Sequence, residues 1–419
     1  MDWFRPILGN LTRRLGGAYS SSSSLPLRRT LELLTLVFFL AITSSVISQF
    51  LTNNSLSSTR RSSCHFPAIF NFGDSNSDTG GKSAAFHRLP YPNGETFFHK
   101  PSGRYCDGKV IVDFIAERLG LPYLGAYLDS IGTNFRHGAN FATGGSTIQS
   151  VDVKVFEAGF SPISLEIQIL QFKQFKARTD ELFNDEASSL DLKNSLPRPE
   201  DFSKALYTFD IGQNDLHFGL KATGEEQLKA SFPKTIGTFA QAIKELYQLG
   251  ARVFWIHNTG PIGCLPFSVI IYSPKPENMD QIGCVKSHNE VAKEFNTQLH
   301  QRVSQLRVQL PDAVITYVDI YSAKYSLISE AKKYGFGNPL EQCCGHYKDY
   351  YVQCGKKAMV NGSEIVGNAC SDPLVYINWD GVHYSHAANR WVAHRIQDGS
   401  LSDPKIPIAQ ACHNPDNSS

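Results

Sequence analysis

The chain has 419 residues, of which 42% are hydrophobic and 19% charged, and its formal net charge is +1. This composition is typical of a globular protein, and the length allows two or three domains or one large α/β unit. The near-neutral charge gives no electrostatic signature of a nucleic-acid-binding protein, so we expect no nucleic-acid partner.

One apolar segment divides the N-terminal part of the chain from the rest. Residues 1–30 carry five arginines and one acidic residue, which predicts a disordered cytoplasmic tail. Residues 31–51 include an uncharged run from Leu33 to Leu51 that is long enough to span a bilayer as a helix. Because all five arginines precede this run, the positive-inside rule places everything after it in a lumen or outside the cell.

Two interpretations of residues 31–51 remain open. An uncleaved signal-anchor would give a type II membrane protein. A signal peptide cleaved near Val46-Ile47-Ser48 would instead release the mature chain. Both interpretations send the chain into the secretory pathway, where Asn53, Asn361 and Asn417 would be glycosylation acceptors.

The cysteines agree with a secretory protein, because all nine follow the apolar segment. In an oxidising compartment, scattered cysteines are typical of structural disulfides. Their spacing suggests one stapled loop and a separate pair, and the odd number leaves one cysteine unpaired. The loop would be formed by Cys343, Cys344, Cys354 and Cys370, and the pair by Cys264 and Cys284.

Strand-like and helix-like segments alternate from Cys64 onward, which predicts a parallel sheet with helices on both faces. We expect a linker at residues 52–65, one domain at 66–400 and a C-terminal tail at 401–419, with a polar surface insertion at 176–203. Strands are predicted at 66–72, 205–209, 252–256 and 313–318, and helices at 110–119, 232–247 and 285–306.

A serine follows the first predicted strand in the sequence Phe72-Gly73-Asp74-Ser75. Parallel sheets place their ligands at the carboxyl ends of the strands, so Ser75 is a candidate nucleophile. Near the C-terminus, Asp380-Gly-Val-His383 places a carboxylate and an imidazole three residues apart on a predicted tight turn. Such a carboxylate could hold imidazole Nδ1–H while Nε2 accepts the serine proton.

Two further stretches could supply donors for an oxyanion. Asn140-Phe-Ala-Thr-Gly144-Gly145 could present backbone N–H groups where a side chain would obstruct, and Gly212-Gln-Asn214-Asp215 could present a side-chain amide. Taken singly, a glycine pair is usually a turn and Asn-Asp is usually a loop cap.

Together, in this order, the four stretches resemble the SGNH or GDSL hydrolase family, and specifically plant GDSL esterase/lipases of the acetylesterase and early-nodulin-like subgroup. The resemblance covers about residues 66–395. It implies a flavodoxin-like, three-layer α/β/α sandwich with a central parallel sheet. The sequence departs from the family at Asn76, where the motif has leucine, but that side chain is not one of the catalytic groups.

The resemblance also implies roles for individual residues and a serine esterase mechanism that uses no metal or cofactor. The catalytic residues would be Ser75, Asp380 and His383, and the oxyanion hole would comprise Ser75, Gly144 and Asn214, with the glycine assignment open to a shift by one to Gly145. Other polar residues are expected to have packing or bracing roles: Asp78, His257, His288, His386 and His394.

The implied substrate is an acylated carbohydrate or another small ester. The leading hypothesis is removal of acetyl groups from a xylan-like cell-wall polysaccharide or a glycoside. It would occur at the Golgi membrane if the anchor is retained, or in the apoplast if it is cleaved. The alternatives are a lipase acting on longer acyl esters and a non-catalytic carbohydrate-binding protein on the same scaffold.

Overall fold

A computed structural model describes residues 63–151, 159–346 and 350–413, together with Phe38 and residues 42–44. The chain separates into two units, Met1–Ser62 and Ser63–Ser419, and the second contains the fold presented below. The predicted tail at 1–30, most of the apolar segment 31–51 and most of the linker at 52–65 lie outside the described residues. Within the described part of the chain, no helix is long and apolar enough to cross a membrane.

A sheet of six strands forms the centre of the domain, in the order β2-β1-β3-β4-β5-β8, and β6 and β7 form a separate hairpin. The first five strands pair in parallel, and only β8 is antiparallel to its neighbour β5. The strands are β1 (Ile69–Gly73), β2 (Gly138–Asn140), β3 (Leu206–Asp210), β4 (Val253–His257), β5 (Val314–Val318), β6 (Lys357–Val360), β7 (Ser363–Val366) and β8 (Ser402–Asp403).

Helices occupy the connections between the strands, since parallel neighbours cannot be joined by a tight hairpin. They are α1 (Gly81–Ala85), α2 (Ile111–Arg118), α3 (Leu165–Asn184), α4 (Leu190–Asn194), α5 (Asp201–Lys204), α6 (Gln213–Ala222), α7 (Glu225–Gln248), α8 (Pro266–Tyr272), α9 (Lys286–Gln309), α10 (Ile320–Ser329) and α11 (His386–Gln397). The strand order 2-1-3-4-5 is that of flavodoxin-like doubly wound sheets, and the architecture is the expected three-layer α/β/α sandwich.

The central strands are buried along their whole length, because apolar and aromatic side chains occupy both faces. Phe70 and Phe72 of β1 anchor an aromatic cluster in which Phe70 stacks on Phe202 with ring centroids 5.2 Å apart. The polar segment 176–203 is therefore not wholly a surface insertion. It includes the end of α3, and Phe202 near its C-terminal end is only 1% exposed.

The strand order creates a switch point at the carboxyl ends of β1 and β3, because the chain moves from β1 outward to β2 and then returns to the other side. Gln168 of α3 fixes the end of β1, where its side-chain carbonyl accepts from Gly73 N–H at 2.9 Å and its amide donates to Gly73 O at 2.8 Å. The turn that follows β1 consequently starts from a rigidly held residue.

Four disulfides join eight cysteines, and the buried Cys106 is the free one. The expected Cys264–Cys284 pair and the stapled loop are confirmed, with Cys343 bonded to Cys370 and Cys344 to Cys354. This set of bonds is typical of a protein that folds in an oxidising, secretory compartment.

The fourth disulfide, Cys64–Cys412, joins residues at the two ends of the domain. Together with β8 it ties residues beyond 400 into the fold. The folded unit therefore extends to at least Cys412, beyond the boundary expected at residue 400.

Candidate active site

Ser75 lies in the tight turn directly after β1, and its hydroxyl is 2.7 Å from Nε2 of His383. The turn approaches β3 closely, because Asp74 N–H donates to Asp210 O at 3.2 Å. A Cβ atom at Gly73 would lie 2.5 Å from Asp210 O, so only glycine allows this approach. The backbone N–H of Ser75 has no acceptor among the described residues.

Asp380 orients the imidazole of His383 from within the same turn. Its carboxylate oxygens lie 2.9 and 2.7 Å from His383 Nδ1, and one of them also accepts the backbone N–H groups of Val382 and His383. Burial opposes ionisation of Asp380, but the charge and hydrogen bonds of His383 outweigh it and lower the Asp380 pKa. The carboxylate is therefore ionised and holds Nδ1–H, which leaves Nε2 facing the serine.

The two glycines after β2 are not equivalent. Gly144 N–H donates to Asp78 Oδ2 at 2.7 Å, whereas Gly145 N–H has no acceptor among the described residues. Asp78 also accepts the N–H groups of Gly80, Gly81 and Lys82. Although burial raises the pKa of Asp78, these four donors stabilise its charge, so Asp78 braces the glycine pair against the start of α1.

Asn214 lies in the first turn of α6, at the carboxyl end of β3 and beside the serine turn. Its side-chain amide donates to Ser146 O at 2.9 Å, which fixes the amide plane and leaves its second N–H for another acceptor. The next residue, Asp215, accepts the backbone N–H of Ile148 at 2.9 Å. These two bonds hold the start of α6 against the loop that carries Gly144 and Gly145.

Two further side chains lie beside the site, and the sequence alone assigned no role to either of them. The Tyr105 ring lies over His383, with ring centroids 4.8 Å apart. His217 follows Asn214 by one helical turn, and burial lowers its pKa to about 4, so its imidazole is neutral. Tertiary packing brings Tyr105 to the site, whereas the helical repeat of α6 places His217 one turn after Asn214.

The other histidines named from the sequence are not part of the triad. His257 is buried, with Nδ1 3.2 Å from Asp210, and His288 packs edge-on against Tyr272. His386 Nδ1 accepts the backbone N–H of Lys109 at 2.9 Å, and His394 is exposed on α11. Across residues 63–151, 159–346 and 350–413, no group of three or more His, Cys, Asp or Glu side chains is arranged to hold a metal ion.

Known proteins have sequences similar to this one over most of its length. Residues 69–396 match the family described as GDSL-like Lipase/Acylhydrolase. A GDSL esterase/lipase of Arabidopsis thaliana is 54% identical over 352 residues, which cover 84% of this chain and 90% of that relative. The GDSL esterase/lipase ENOD8 of Medicago truncatula is 45% identical over 395 residues, covering 93% of this chain and 98% of the relative.

A third relative has a different name. A protein of Arabidopsis thaliana named Alpha-L-fucosidase 3 is 48% identical over 364 residues, covering 85% of this chain and 97% of that protein. The sequence motifs, the fold and the site geometry agree with the esterase/lipase names of the first two relatives. The chain belongs to the GDSL lipase/acylhydrolase family and is a carboxylic ester hydrolase.

Proposed function

We propose that Ser75, His383 and Asp380 form the catalytic triad of an esterase that removes O-acetyl groups from a xylan-like cell-wall polysaccharide or a glycoside. The observation that supports the triad is the continuous series of hydroxyl, imidazole and carboxylate, in which His383 lies 2.7 Å from Ser75 and 2.7 Å from Asp380. This series contains a nucleophile, its base and the group that orients the base.

In the proposed reaction, Ser75 Oγ attacks the ester carbonyl carbon while His383 Nε2 takes the hydroxyl proton. Asp380 stabilises the resulting imidazolium, which then protonates the leaving alcohol and frees the sugar hydroxyl. Water, deprotonated by the same imidazole, then attacks the acetyl carbonyl carbon on Ser75. The imidazolium returns this proton to Ser75 Oγ as the bond to the acetyl group breaks and acetate leaves. All the groups in these steps belong to the chain, the ester or water.

The oxyanion formed in both steps requires donors that are not already engaged. Ser75 N–H and the second amide hydrogen of Asn214 fit this requirement. Of the glycine pair, Gly144 N–H is bonded to Asp78, whereas Gly145 N–H has no acceptor among the described residues. We therefore assign the third donor to Gly145, one position beyond the residue favoured from the sequence, with Asp78 and Gly144 holding the loop in place.

The confined surroundings of the nucleophile favour a small acyl group. Ser75 is 8% exposed and His383 is 9% exposed, and the Tyr105 ring covers the imidazole. A methyl group added at Gly144 would lie only 2.5 Å from the Tyr105 ring, so space on this side of the site is limited. An acetyl group needs less room than the acyl chain of a lipid ester.

Glycoside cleavage is the activity named for one relative, and it requires a different arrangement of groups. Glycosidases generally place two carboxyl groups on either side of the scissile bond. The carboxylates nearest to Ser75 along the chain and across the sheet are Asp74 and Asp210, which are 0% and 4% exposed. Because both carboxylates are buried, a sugar ring cannot enter between them. A binding protein without activity would not need an intact triad.

The decisive experiment measures acetate release from acetylated xylan, hydrolysis of nitrophenyl esters from acetate to palmitate, and hydrolysis of nitrophenyl α-L-fucoside. The full chain is expressed in the secretory pathway of plant cells, with Ser75→Ala as its matched control. We expect acetate release and a preference for the acetate ester, both reduced at least about 10³-fold in the variant.

Other outcomes of this panel identify the alternatives. A rate that increases with acyl length would indicate a lipase, and fucoside hydrolysis retained by Ser75→Ala would indicate a separate glycosidase centre. If wild type and variant were equally inactive on every ester, the proposed esterase role of Ser75 would be rejected.

We also propose that the hydrolase domain works on the lumenal or extracellular side of the membrane, either anchored in the Golgi by residues 31–51 or secreted after their removal. Asn361 lies exposed in the turn between β6 and β7, where an oligosaccharide can be attached without a clash. Sequencing the N-terminus of protein purified from plant cells distinguishes the two forms. A mobility shift on deglycosylation that is lost in Asn361→Gln tests the glycan.

A further inference from the structure

A lysine is buried in the interior of the domain, behind the nucleophile. Lys324, on α10, is 2% exposed, and no carboxylate of the described residues lies within ion-pair distance of its Nζ. An ammonium group in such a place is costly to bury unless nearby charges compensate it. Burial is the largest effect and lowers the pKa of Lys324, whereas the charges of Asp210 and Asp74 act in the opposite direction and favour the ammonium form.

The lysine and the two carboxylates are connected to three site residues, Ser75, Asn214 and His383, through residues next to them in the chain. Asp74 directly precedes Ser75, and Gln213, which precedes Asn214, places its amide nitrogen 3.4 Å from Asp74 Oδ2. The same nitrogen is 3.4 Å from Asp210 Oδ1, so one amide bridges both carboxylates.

The third connection runs to the histidine turn. The ammonium of Lys324 lies 4.5 Å from the ring centroid of Tyr384, the residue after His383. Gln213 thus joins Asp74 and Asp210 in one buried cluster beside the serine turn and the start of α6. Lys324 interacts electrostatically with both carboxylates of this cluster and contacts the histidine turn through Tyr384.

Titratable groups on β4, on α6 and in the histidine turn interact with this cluster. Burial and the charge of Asp210 raise the pKa of Asp74 to about 7, although hydrogen bonds from Asn76 and the charge of His383 act in the opposite direction. For Asp210, burial is outweighed by His257 on β4 and by Lys324, so its pKa is lowered. Asp215 on α6 is a further carboxylate that interacts with Asp74.

We propose that Lys324 is a positioning residue for the hydrolytic reaction: its ammonium keeps the Asp74–Asp210 pair ionised, and the ionised pair holds Ser75, Asn214 and His383 in register. The inference rests on the proposed catalytic roles of Ser75 and His383. Asp74 is the member of the pair that takes up a proton first. When it does, the turn before Ser75 loses the charge that accepts Asn76 N–H and side-chain amide at 3.0 Å.

The test compares full-length Lys324→Met with wild type on nitrophenyl acetate over a range of pH. Methionine preserves the length and apolar stem of lysine but removes the charge. Without the nearby cation the protonated form of Asp74 is favoured, so ionisation requires a higher pH and the acidic limb of kcat moves upward by about one pH unit. We expect kcat at neutral pH to fall about 10- to 100-fold while KM changes less than about twofold.

Lys109→Met is the matched control. Lys109 is also a buried lysine, 7% exposed, but its ammonium pairs with Glu117 on α2 and lies over the ring of Phe97, away from the Asp74–Asp210 pair. Its loss can lower stability, but the pH profile should keep the wild-type shape. An unshifted acidic limb in Lys324→Met, or an equal shift in Lys109→Met, would overturn the proposal.

Asp74→Asn tests the same proposal should Lys324→Met fail to fold. Asparagine can still accept the Asn76 hydrogen bonds but cannot ionise, so kcat should fall and the acidic limb should reduce to a single ionisation. A wild-type pH profile in Asp74→Asn would reject the inference. Ser75→Ala separates this from failure of the esterase proposal, because residual hydrolysis in that variant would implicate a different centre regardless of Lys324.

Discussion

His383 Nε2 lies 2.7 Å from Ser75 Oγ although 308 positions separate the two residues in the chain. The serine leaves the end of a central strand, and the histidine belongs to a turn that precedes the last helix. Each residue is held by its own backbone, Ser75 through the clamp of Gln168 on Gly73 and His383 through the N–H bonds to Asp380. The contact is therefore preorganised before any substrate arrives.

The role of Asp380 can be tested by Asp380→Asn. The amide oxygen can still accept the N–H groups of Val382 and His383, so the turn should keep its shape. An amide that donates to Nδ1 favours the wrong imidazole tautomer, and we expect kcat on nitrophenyl acetate to fall about 10⁴-fold with little change in KM. Thermal melting serves as the control and should differ from wild type by only a few degrees. A variant with kcat within tenfold of wild type would rule out the orienting role.

The space beside Gly144 gives a second prediction. A Cβ atom there would lie 2.5 Å from the Tyr105 ring, which itself packs over His383. Gly144→Ala should therefore displace the Tyr105 ring toward the imidazole and lower kcat about tenfold or more, by the same reasoning that small misplacements of catalytic groups are costly. If the clash with the ring is the cause, Gly144→Ala should lower kcat much less when the ring is absent. The double variant Gly144→Ala/Tyr105→Ala should therefore have nearly the same kcat as Tyr105→Ala. If Gly144→Ala lowered kcat by the same factor with and without the Tyr105 ring, the clash would not be the cause.

The residues with a local signature could be predicted from the sequence. Ser75 and Asn214 follow predicted strands, and Asp380 and His383 share one turn, so strand patterns and spacing made them candidates. The resemblance to the GDSL family then supplied their expected roles. The parallel alternation of strands and helices likewise predicted the sheet, to within one or two residues for β3, β4 and β5.

Residues that reach the site through tertiary packing could not be found in this way. The sequence assigned no role to Lys324, Tyr105 or Gln168, because their importance depends on which helix or loop packs beside the sheet. Phe202 was hidden in a polar stretch because one aromatic residue does not reveal a buried face. The Cys64–Cys412 bond joins residues 348 positions apart, and sequence spacing gives no information on such a pairing.

Two of the disulfides should differ in their effects: both should contribute to stability, but only Cys264–Cys284 should also affect activity. Cys264–Cys284 brackets α8, where Phe267 N–H donates to Gly381 O at 3.0 Å in the histidine turn. Replacing both cysteines by serine should cost about 2–5 kcal/mol of unfolding free energy and also lower kcat, because the turn loses a support.

The double serine variant of Cys64 and Cys412 is the matched comparison. It should lose stability of the same order while kcat stays unchanged, because that disulfide joins the ends of the domain. Urea unfolding and kcat on nitrophenyl acetate check both variants. Equal kcat losses in the two would contradict the idea that α8 supports the histidine turn.

Because the Asp74 carboxylate is buried, its replacement by asparagine should raise the stability of the protein and lower its activity. Its pKa in the folded protein is about 7, against an ordinary value of 3.8, because burial and Asp210 oppose its ionisation. The folded state is favoured most below pH 3.8, where both states hold the proton. This advantage is lost as the pH rises toward 7, since the unfolded chain ionises first. Asp74→Asn should therefore melt at a higher temperature than wild type at pH 8, and the difference should shrink as the pH falls toward 4.

The same variant should be the less active enzyme at pH 8, because it lacks the ionised group that supports the Ser75 turn. Burial, with the charge of Asp74, also raises the pKa of Asp215 to about 7, so loss of the Asp74 charge lowers the Asp215 pKa and adds to the higher melting temperature expected at pH 8. Calorimetric melting at several pH values, with kcat measured on the same samples, checks both halves of the prediction. If the difference in melting temperature did not change with pH, the folded state would not raise the pKa of Asp74. In that case its neighbours, Lys324 included, already compensate its charge in full.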